Sequence, residues 1–271
     1  MRNDFAPVPA VLENVIVETP TIRTFVLRPA EPVPFRAGQF VQLFVPGVGE
    51  APFTPSSSPS DAERLEVTVL RAGRVTAALH DLAAGAEIGV RGPFGKGYPL
   101  QRLKGHEVVV VGGGVGLAPL RSLLYALFDD LGIVRRVSIK YGARAPHELC
   151  FRDQYDAWAA RDKVDFTPTI DRPAAGWSGR VGLVTTLLGG LDVDVKDAYA
   201  LSCGPEVMLK FVARKLMDVG FLPEHIYLSM NRNMSCGMGI CGRCNVGSRY
   251  LCKDGPDLCY ADIRDVPYAL G

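Results

Sequence analysis

The sequence of this 271-residue chain has no excess of charge of either sign. Lysine and arginine total 30 against 29 aspartates and glutamates, so the formal net charge at pH 7 is only +1. A strongly basic surface would indicate nucleic acid, and a block of acidic residues would indicate an interaction tail. The composition therefore predicts no nucleic-acid partner.

The chain also lacks an uninterrupted apolar run. Its longest apolar stretch, residues 108–127, is broken by four glycines, a proline and an arginine, whereas a membrane span needs ~20 mainly apolar residues. The first 15 residues include two prolines and several charged side chains, where a signal peptide needs an apolar run of ~7–15 residues. We expect a cytoplasmic protein with no membrane partner.

No internal repeat or low-complexity segment is present. The pattern of apolar and turn-forming residues changes twice along the chain, which divides it into three parts. In residues 1–102, short stretches rich in β-branched and aromatic residues are separated by Pro, Gly and Ser. These are 21–29, 39–46 and 64–71, and they predict a small antiparallel β barrel. One helix is expected there, over 75–82.

Residues 103–222 alternate strand-length apolar runs with helical patterns four times. The predicted strands are 108–111, 136–142, 164–170 and 197–203. The helical patterns cover 118–129, 152–160, 181–188 and 206–219. Such alternation is typical of an α/β domain whose parallel sheet has helices on both faces.

Residues 223–271 hold five of the seven cysteines and show little periodicity. The spacing C-x4-C-x2-C, with a further cysteine after seven intervening residues, is the plant-type pattern for a 2Fe–2S cluster. Glycines inside the run let backbone N–H groups turn toward the sulfurs, which raises the reduction potential of such a cluster. The predicted ligands are Cys236, Cys241, Cys244 and Cys252.

Two questions stay open at this cysteine run. A structural zinc knuckle also uses four thiolates, although zinc sites usually pair them as two C-x2-C units. Cys259 could replace Cys252 as the fourth ligand, but a tight turn expected over 253–256 presents Cys252 more naturally. For Cys259, an ordinary small thiol is the simpler interpretation.

A glycine-rich turn follows the first predicted strand of the α/β domain. Gly112, Gly113, Gly114 and Gly116 lead into a helix with Pro119 in its first turn. A strand before and a helix after the glycines let the backbone approach a pyrophosphate at a helix N-terminus. A merely tight strand-to-helix turn is the alternative.

Two further segments bear on nucleotide binding. Cys203, Gly204 and Pro205 end another predicted strand, so they can face the same crevice as the glycines. Arg144, which ends the segment after the second strand, favours NADP(H) because an arginine can accept a 2′-phosphate; a solvated surface arginine is the equal alternative. Either cysteine outside the run, Cys203 or Cys150, would by itself more often be an inert buried thiol.

In the barrel, Gly73, Arg74 and Thr76 stand at the start of the single predicted helix and suit a second phosphate group. These residues alone do not indicate a flavin.

Taken together, the chain resembles the ferredoxin-reductase superfamily of flavoproteins. GGGVGLAP, CGP and the cysteine run carry the resemblance, which covers almost the whole chain. It is most similar to the flavin-containing gamma subunits of cytoplasmic sulfhydrogenases, which are NAD(P)-linked nickel–iron hydrogenases. The segments CGMGICGRCNVGSRYLCKDGP, GEAPFTPSSSP, VRGPFG and SMNRNMSCG carry that closer similarity.

The resemblance implies a flavin-binding barrel (1–102), an NAD(P)-binding α/β domain (103–222) and a 2Fe–2S module (223–271). The residues that would line the FAD ring and its ribityl chain are Pro52, Phe53, Thr54, Ser56, Ser57 and Ser58. Those that would hold the FAD pyrophosphate are Gly73, Val75 and Thr76. Those that would bind the nicotinamide nucleotide are Gly113, Gly114 and Gly116, with Cys203, Gly204 and Pro205 beside the nicotinamide.

The chain departs from the superfamily pattern at two positions. Ala51 replaces a common arginine that contacts the flavin phosphates, and either Arg71 or Arg74 could substitute for it. Asn231 stands where relatives often carry an acidic residue near the flavin.

The implied function is that of a diaphorase subunit, which moves electrons between NAD(P)(H), FAD and a 2Fe–2S cluster for iron–sulfur and catalytic partner subunits. The specific expectation is a nickel–iron hydrogenase that couples H2 oxidation to NADP+ reduction. Similar subunits serve dihydroorotate dehydrogenase and anaerobic sulfite reductase. The same motifs would also suit a stand-alone reductase for a ferredoxin or oxygenase, a nucleotide- or redox-sensing regulatory subunit, or a zinc-stapled nucleotide-binding module.

Overall fold

A computed structural model describes residues 5–61 and 63–270. The strands are β1 Val8–Val17, β2 Ile22–Pro29, β3 Phe40–Val45, β4 Gly49–Phe53, β5 Leu65–Leu70, β6 Glu87–Phe94, β7 Glu107–Gly113, β8 Arg136–Ala143, β9 Val164–Ile170, β10 Arg180–Val181, β11 Tyr199–Cys203, β12 Ile226–Ser229, β13 Asn245–Val246, β14 Arg249–Tyr250 and β15 Asp257–Cys259. The α-helices are α1 Arg74–His80, α2 Leu100–Leu103, α3 Leu117–Phe128, α4 Tyr155–Ala159, α5 Glu206–Val219, α6 Leu251–Asp254 and α7 Tyr260–Ile263. Short 3₁₀ helices cover Gly114–Gly116, Leu131–Ile133, Pro146–Glu148, Arg152–Gln154, Val184–Gly190 and Pro223–His225.

The N-terminal third is the antiparallel sheet that the sequence predicts. Its six strands lie in the order β4-β3-β6-β1-β2-β5, and every pairing is antiparallel. In β3, Val41, Leu43 and Val45 alternate with residues on the other face and enter the barrel core. Helix α1 closes this core with Leu79, which is fully buried.

The second sheet has seven strands in the order β10-β9-β8-β7-β11-β12-β15. Only the last pairing, between β12 and β15, is antiparallel. After Glu107, strand β7 is apolar because both of its faces are buried. Val108 and Val110 pack on the side of α3 and α4, while Val109 and Val111 pack on the side of α5.

Two predicted helices in this domain take another form. Segment 181–188 contains the 3₁₀ helix Val184–Gly190 instead of an α-helix. β-branched residues lose side-chain freedom in an α-helix, and the Thr186 hydroxyl donates to the Leu183 carbonyl at 2.7 Å, so it competes with helical hydrogen bonding. Segment 152–160 is divided between a 3₁₀ turn and the short helix α4.

The C-terminal segment contributes two strands to the second sheet. β12 pairs in parallel with β11, and β15 returns antiparallel to β12 with Ser229 opposite Asp257. The cysteine loop, residues 230–256, is therefore an excursion whose two ends are fixed by adjacent strands. Within it, Cys252 lies in the single helical turn α6, which Gly255 ends, so the turn expected at 253–256 is partly helical.

No helix in the described ranges has the length and apolar character that crossing a membrane requires.

Candidate redox site

The glycine-rich turn and the Cys203 turn pack directly against each other. In the parallel register, Cys203 lies opposite Gly112. A Cβ atom at Gly116 would come within 2.3 Å of the Cys203 carbonyl oxygen, and one at Gly113 within 2.2 Å of the Met208 sulfur. Only glycine fits at position 116, where the neighbour is backbone, whereas a side chain at position 113 would require Met208 to move. The structure brings the two predicted nucleotide-binding turns to one edge of the sheet.

Tyr141 forms a hydrogen bond with the glycine-rich turn. The sequence did not indicate this contact. The fully buried Tyr141 ring ends in a hydroxyl that donates to the Gly114 carbonyl at 3.0 Å. The same hydroxyl accepts the backbone N–H of Cys150 at 3.1 Å. Burial raises the pKa of the Cys150 thiol to about 12, so Cys150 is a neutral core residue.

Arg144 follows directly on β8 and is exposed. Because Gly142 at the end of β8 pairs with Gly113, this arginine lies at the carboxyl edge of the sheet, one strand from the glycine-rich turn. That position is open to a nucleotide phosphate.

The predicted flavin segment forms the edge strand β4 and the loop after it. Pro52, Phe53 and Thr54 are half-buried, so they offer surface to a ligand. Ser56 and Ser57 are buried instead: the Ser56 hydroxyl lies 2.8 Å from Thr68 Oγ1, and the Ser57 hydroxyl accepts the Glu66 N–H at 3.1 Å. These two hydroxyls hold the loop against β5, while Ser58 is half-buried.

The start of α1 lies over the start of β4. A Cβ atom at Gly49 would be 3.7 Å from the Arg74 guanidinium and 3.8 Å from Val75. The Thr76 hydroxyl accepts the N–H groups of Ala72 and Gly73 at 2.9 and 2.8 Å. The structure thus gathers Gly73, Val75 and Thr76 beside β4, with an exposed Arg74 among them.

Arg71, the other arginine that could substitute for the one missing at position 51, has a different partner. It pairs with Asp81 at 3.2 Å on the surface. Arg74 is therefore the better placed cation to replace the missing arginine at position 51.

The cysteine loop surrounds its thiols with backbone donors. Gly237, Gly239 and Gly242 have φ of +76°, +74° and +74°, a conformation that favours glycine. The loop bends so that Met238 and Ile240 donate N–H groups to Cys236 Sγ at 3.3 and 3.4 Å. Although burial of Cys236 favours the neutral thiol, these backbone hydrogen bonds and that of Cys241 lower its pKa to about 6.

The loop also brings Cys252, and not Cys259, to the other thiols. Cys252 Sγ lies 3.3 Å from Cys244 Sγ and accepts the Gly239 N–H at 3.0 Å. Cys259 is on β15, and its sulfur lies 3.6 Å from the Glu224 carbonyl oxygen, away from the loop.

Four thiols and N–H···S donors suit a 2Fe–2S cluster, which takes four cysteine ligands. Cys241 is exposed at the tip of the loop, whereas Cys244 and Cys252 are buried beneath it. Within the described ranges, no group of three or more Cys, His, Asp or Glu side chains is close enough to hold a single metal ion.

A buried arginine fastens the cysteine loop to the barrel. Arg91 on β6 donates to the carbonyl oxygens of Cys236 at 2.8 Å and Ser235 at 3.3 Å. Its guanidinium also pairs with Glu50 on β4 at 2.7 Å. A cavity of about 670 Å³ lies beside this contact and is lined by Phe5, Pro7, Phe44, Gly49, Glu50, Arg91, Ser235, Cys236 and Cys241. The strand that leads to Pro52 and Phe53 is thus tied to a predicted cluster ligand.

A second buried arginine fastens the barrel to the α/β domain. Arg121 on α3 donates to the Ser56 carbonyl oxygen at 3.1 Å and pairs with Glu66 at 2.5 Å. Its guanidinium lies over the Phe151 ring, 4.6 Å from the centroid. The sequence does not single out Arg91 or Arg121, since arginines on a strand or helix are usually solvated.

Three candidate binding surfaces adjoin one another in the structure. The edge of the parallel sheet offers glycine turns for a dinucleotide, β4 and α1 offer a surface on the barrel, and four thiols lie on the loop that Arg91 holds. Among known groups, a nicotinamide transfers two electrons as hydride, an iron–sulfur cluster transfers one, and a flavin exchanges with both.

Comparison with known proteins gives the same three parts in the same order. Residues 10–98 match the oxidoreductase FAD-binding domain and residues 110–214 the oxidoreductase NAD-binding domain. Residues 231–264 match the iron–sulfur cluster binding domain of dihydroorotate dehydrogenase B. FAD-binding, NAD-binding and iron–sulfur-binding domains are therefore present in this chain.

Curated relatives match over most of its length. The gamma subunit of sulfhydrogenase 2 from Pyrococcus furiosus is 37% identical over 244 residues, which cover 84% of each chain. The gamma subunit of sulfhydrogenase 1 from the same organism is 36% identical over 245 residues, covering 88% of this chain and 84% of its own. A probable electron transfer subunit of dihydroorotate dehydrogenase B from Methanocaldococcus jannaschii is 35% identical over 253 residues, covering 92% and 88%.

Solved structures confirm the fold. The NADH-dependent reduced ferredoxin-NADP oxidoreductase superposes with a TM-score of 0.77 at 24% identity, over 96% of this chain and 92% of that one. A ferredoxin NADP+ reductase from Neisseria gonorrhoeae superposes with a TM-score of 0.70 at 24% identity, over 81% and 96%.

The fold and the site define a flavin- and nicotinamide-dependent oxidoreductase with an iron–sulfur module. This chain belongs to the ferredoxin-reductase-like family, and its similarity to sulfhydrogenase gamma subunits extends over most of its length.

Proposed function

We propose that this chain is the electron-transfer subunit of a cytoplasmic nickel–iron hydrogenase and moves electrons between NADP(H), FAD and a 2Fe–2S cluster. The overall reaction is H2 + NADP+ giving NADPH and H+, and it is reversible. Bound FAD would supply the exchange between hydride and single electrons. The similarity to two sulfhydrogenase gamma subunits supports the choice of hydrogenase.

One observation carries the electron-transfer role. Arg91 joins Glu50 on the proposed flavin strand to the Cys236 carbonyl oxygen at the proposed cluster. A cluster held directly against the flavin-binding barrel suits a chain that passes electrons out of its nicotinamide site. In this assignment Cys236, Cys241, Cys244 and Cys252 hold the cluster, and Pro52, Phe53, Thr54, Gly73 and Arg74 contact FAD.

NADP(H) is the proposed nucleotide because Arg144 lies exposed at the sheet edge, where it can pair with a 2′-phosphate. Gly113, Gly114 and Gly116 would approach the pyrophosphate, and Cys203 would lie beside the nicotinamide.

The first test is the visible absorption spectrum of the anaerobically purified chain before and after stoichiometric NADPH. Flavin bands and an iron–sulfur shoulder that bleach together are expected. A colourless chain that contains zinc would overturn the proposal, and so would a coloured chain that NADPH and NADH leave unchanged.

The second test identifies the partner reaction. The complex is purified anaerobically from source cells through a tag on this chain and assayed with H2, dihydroorotate and sulfite. H2-driven NADP+ reduction is expected. Dihydroorotate-driven NAD+ reduction would instead favour the dihydroorotate dehydrogenase role, which the match of residues 231–264 to that enzyme's cluster domain supports.

A further inference from the structure

A buried polar cluster lies where the barrel, the α/β domain and the C-terminal segment meet. Ser229, at the end of β12, is its centre. The Ser229 hydroxyl donates to Asp257 Oδ1 at 2.5 Å, and the Tyr98 hydroxyl lies 3.1 Å from the same Ser229 oxygen. Cys203 also hydrogen-bonds to Ser229. These polar side chains therefore connect the Cys203 turn, at the proposed nicotinamide crevice, to the buried carboxyl group of Asp257.

The second oxygen of this carboxyl is buried and has no partner within the described chain. Asp257 is 8% exposed, and its Oδ2 forms no hydrogen bond. Gly38 leaves room for that oxygen, since a Cβ atom at Gly38 would lie only 2.4 Å from it. A buried carboxyl with one free oxygen has a place for a proton.

The surroundings of Asp257 raise the pKa of its carboxyl group into the neutral range. Burial raises the pKa of its carboxyl to about 7, and the hydrogen bond from Ser229 opposes that rise only in part. Groups that exchange protons during turnover work best when their pKa lies near the operating pH.

The titratable groups that face Asp257 are Tyr98 and Cys203. Burial raises the pKa of both, to about 12 for Cys203 and well above the ordinary tyrosine value for Tyr98, so both remain neutral at pH 7.

Charged groups on the elements around β15 are directed elsewhere. Asp254 of α6 pairs with Lys96, and Asp262 of α7 pairs with Arg249. His225, in the 3₁₀ helix before β12, stacks on Tyr199. Lys253 and Glu224 are exposed.

We propose that Asp257 and Ser229 form a proton relay for the nicotinamide crevice. The proposal rests on the proposed function and adds to it a residue role at a distance from the cofactors. Oxidation of one NAD(P)H by single-electron acceptors yields NAD(P)+, two electrons and one proton. A 2Fe–2S cluster held by the four cysteines of the loop would accept the two electrons one at a time. The proton binds the Ser229 oxygen from the Cys203 side, while the Ser229 hydroxyl proton passes to the Asp257 carboxylate. After NAD(P)+ has left, the proton returns by the same route to the open crevice and to solvent, which restores the ionised carboxylate.

Asp257 exchanges the proton with Ser229 and does not itself contact the reacting atoms, so its role is a positioning role. In NAD(P)H oxidation it must start ionised, and in NAD(P)+ reduction it must start protonated. The oxidation rate is therefore expected to rise with pH through about pH 7, and the reduction rate to fall over the same range.

The test compares Asp257→Asn, Ser229→Ala and the control Asp262→Asn in the full cofactor-loaded chain. Rates in both directions are measured from pH 5.5 to 9 against a one-electron dye. Asp257→Asn and Ser229→Ala should each lose the inflection near pH 7 and slow NAD(P)H oxidation at pH 8 by about tenfold or more. Asp262→Asn, which breaks only a surface ion pair, should keep the wild-type profile.

An infrared titration gives a readout that does not depend on activity. Wild type should show a carboxylic C=O band that disappears as pH rises through about 7, and Asp257→Asn should lack it. Ser229→Ala should keep the band and lose it at a higher pH, because the hydrogen bond that lowers the pKa of Asp257 is gone. Because Ser229→Ala keeps the carboxyl group of Asp257 but lacks the hydroxyl, it distinguishes loss of the relay from loss of the carboxyl group.

The relay is overturned if Asp257→Asn keeps the wild-type pH profile in both directions. If Asp257→Asn does not fold, Ser229→Ala decides: an unchanged profile in that variant overturns the relay equally. A wild-type spectrum without flavin or cluster bands would overturn the proposed function itself, and the relay with it.

Discussion

At the scale of single residues, two cysteines in the same short segment have different surroundings. Cys252 lies 3.3 Å from Cys244 and accepts an N–H from the glycine-bearing loop. Cys259, seven residues later, is held by a strand that turns its sulfur toward the carbonyl groups of the 3₁₀ helix Pro223–His225. The difference arises because β15 belongs to the sheet and the loop ends before it.

Cys252→Ser is expected to lose the cluster, since three thiolates are insufficient for a four-cysteine 2Fe–2S site. The measurement is iron per chain together with visible absorbance after anaerobic purification. Cys259→Ser is the matched control and should retain both at the wild-type level. Loss of iron and of the iron–sulfur shoulder in Cys259→Ser, with both retained in Cys252→Ser, would reverse the assignment.

At the scale of elements, the crevice depends on the contact between two strand-to-helix turns. Gly116 lies at the end of the 3₁₀ helix Gly114–Gly116, against the backbone of Cys203 and Gly204. Adjacent parallel strands bring both turns to one edge of the sheet, and the missing side chains let the two backbones touch.

Gly116→Ala is expected to separate these turns, because its Cβ would lie 2.3 Å from the Cys203 carbonyl oxygen. Overpacking of this kind typically costs about 1–3 kcal/mol. The melting temperature should fall, and nucleotide affinity measured by titration should weaken.

Gly190→Ala serves as the control, since a Cβ there meets no heavy atom within 4 Å. Equal losses in both variants would show that the packing of Gly116 is not the cause.

At the scale of the whole molecule, two buried arginines couple the three units. Arg121 ties the α/β domain to the loop after β4, and Arg91 ties the cysteine loop to β4 and β6. Cofactors held on separate units keep a constant separation only if such contacts hold the units together. These arginines therefore fix the positions of the three units relative to one another.

Arg91→Met is expected to loosen the cysteine loop while leaving the nucleotide crevice intact. Loss of its hydrogen bonds leaves the half-buried acceptors Glu50, Ser235 and Cys236 without this partner, and a fully buried acceptor left unpaired would cost about 1–3 kcal/mol. In stopped-flow absorption with NADPH, bleaching of the flavin bands should stay near the wild-type rate, and bleaching of the cluster should slow.

Arg135→Met, which removes only an exposed ion pair with Asp197, should change neither phase. Equal slowing of both phases in Arg91→Met would contradict a specific role at the cluster.

Much of the fold could be predicted because local chemistry repeats along the chain. Short stretches rich in β-branched and aromatic residues between turn residues predicted the barrel, and apolar runs that alternate with helical patterns predicted the parallel sheet. Segment 181–188 was predicted to be helical, but from Val184 onward it forms a 3₁₀ helix and not an α-helix, because the apolar spacing does not show the cost of β-branched residues in an α-helix. The joining of β12 and β15 to the sheet was also missed, since strands of four and three residues carry too little periodicity.

The sequence by itself determined the classes of ligand, because cysteine spacing and glycine turns are local requirements of an iron–sulfur cluster and a pyrophosphate. Only the tertiary structure decided how those sites are connected. Arg91 lies 145 residues from Cys236, and Ser229 is 28 residues from Asp257 and 131 from Tyr98. Contacts at such separations depend on which strands become neighbours. They arise from the packing of three units around buried polar groups, and no local pattern of side chains encodes them.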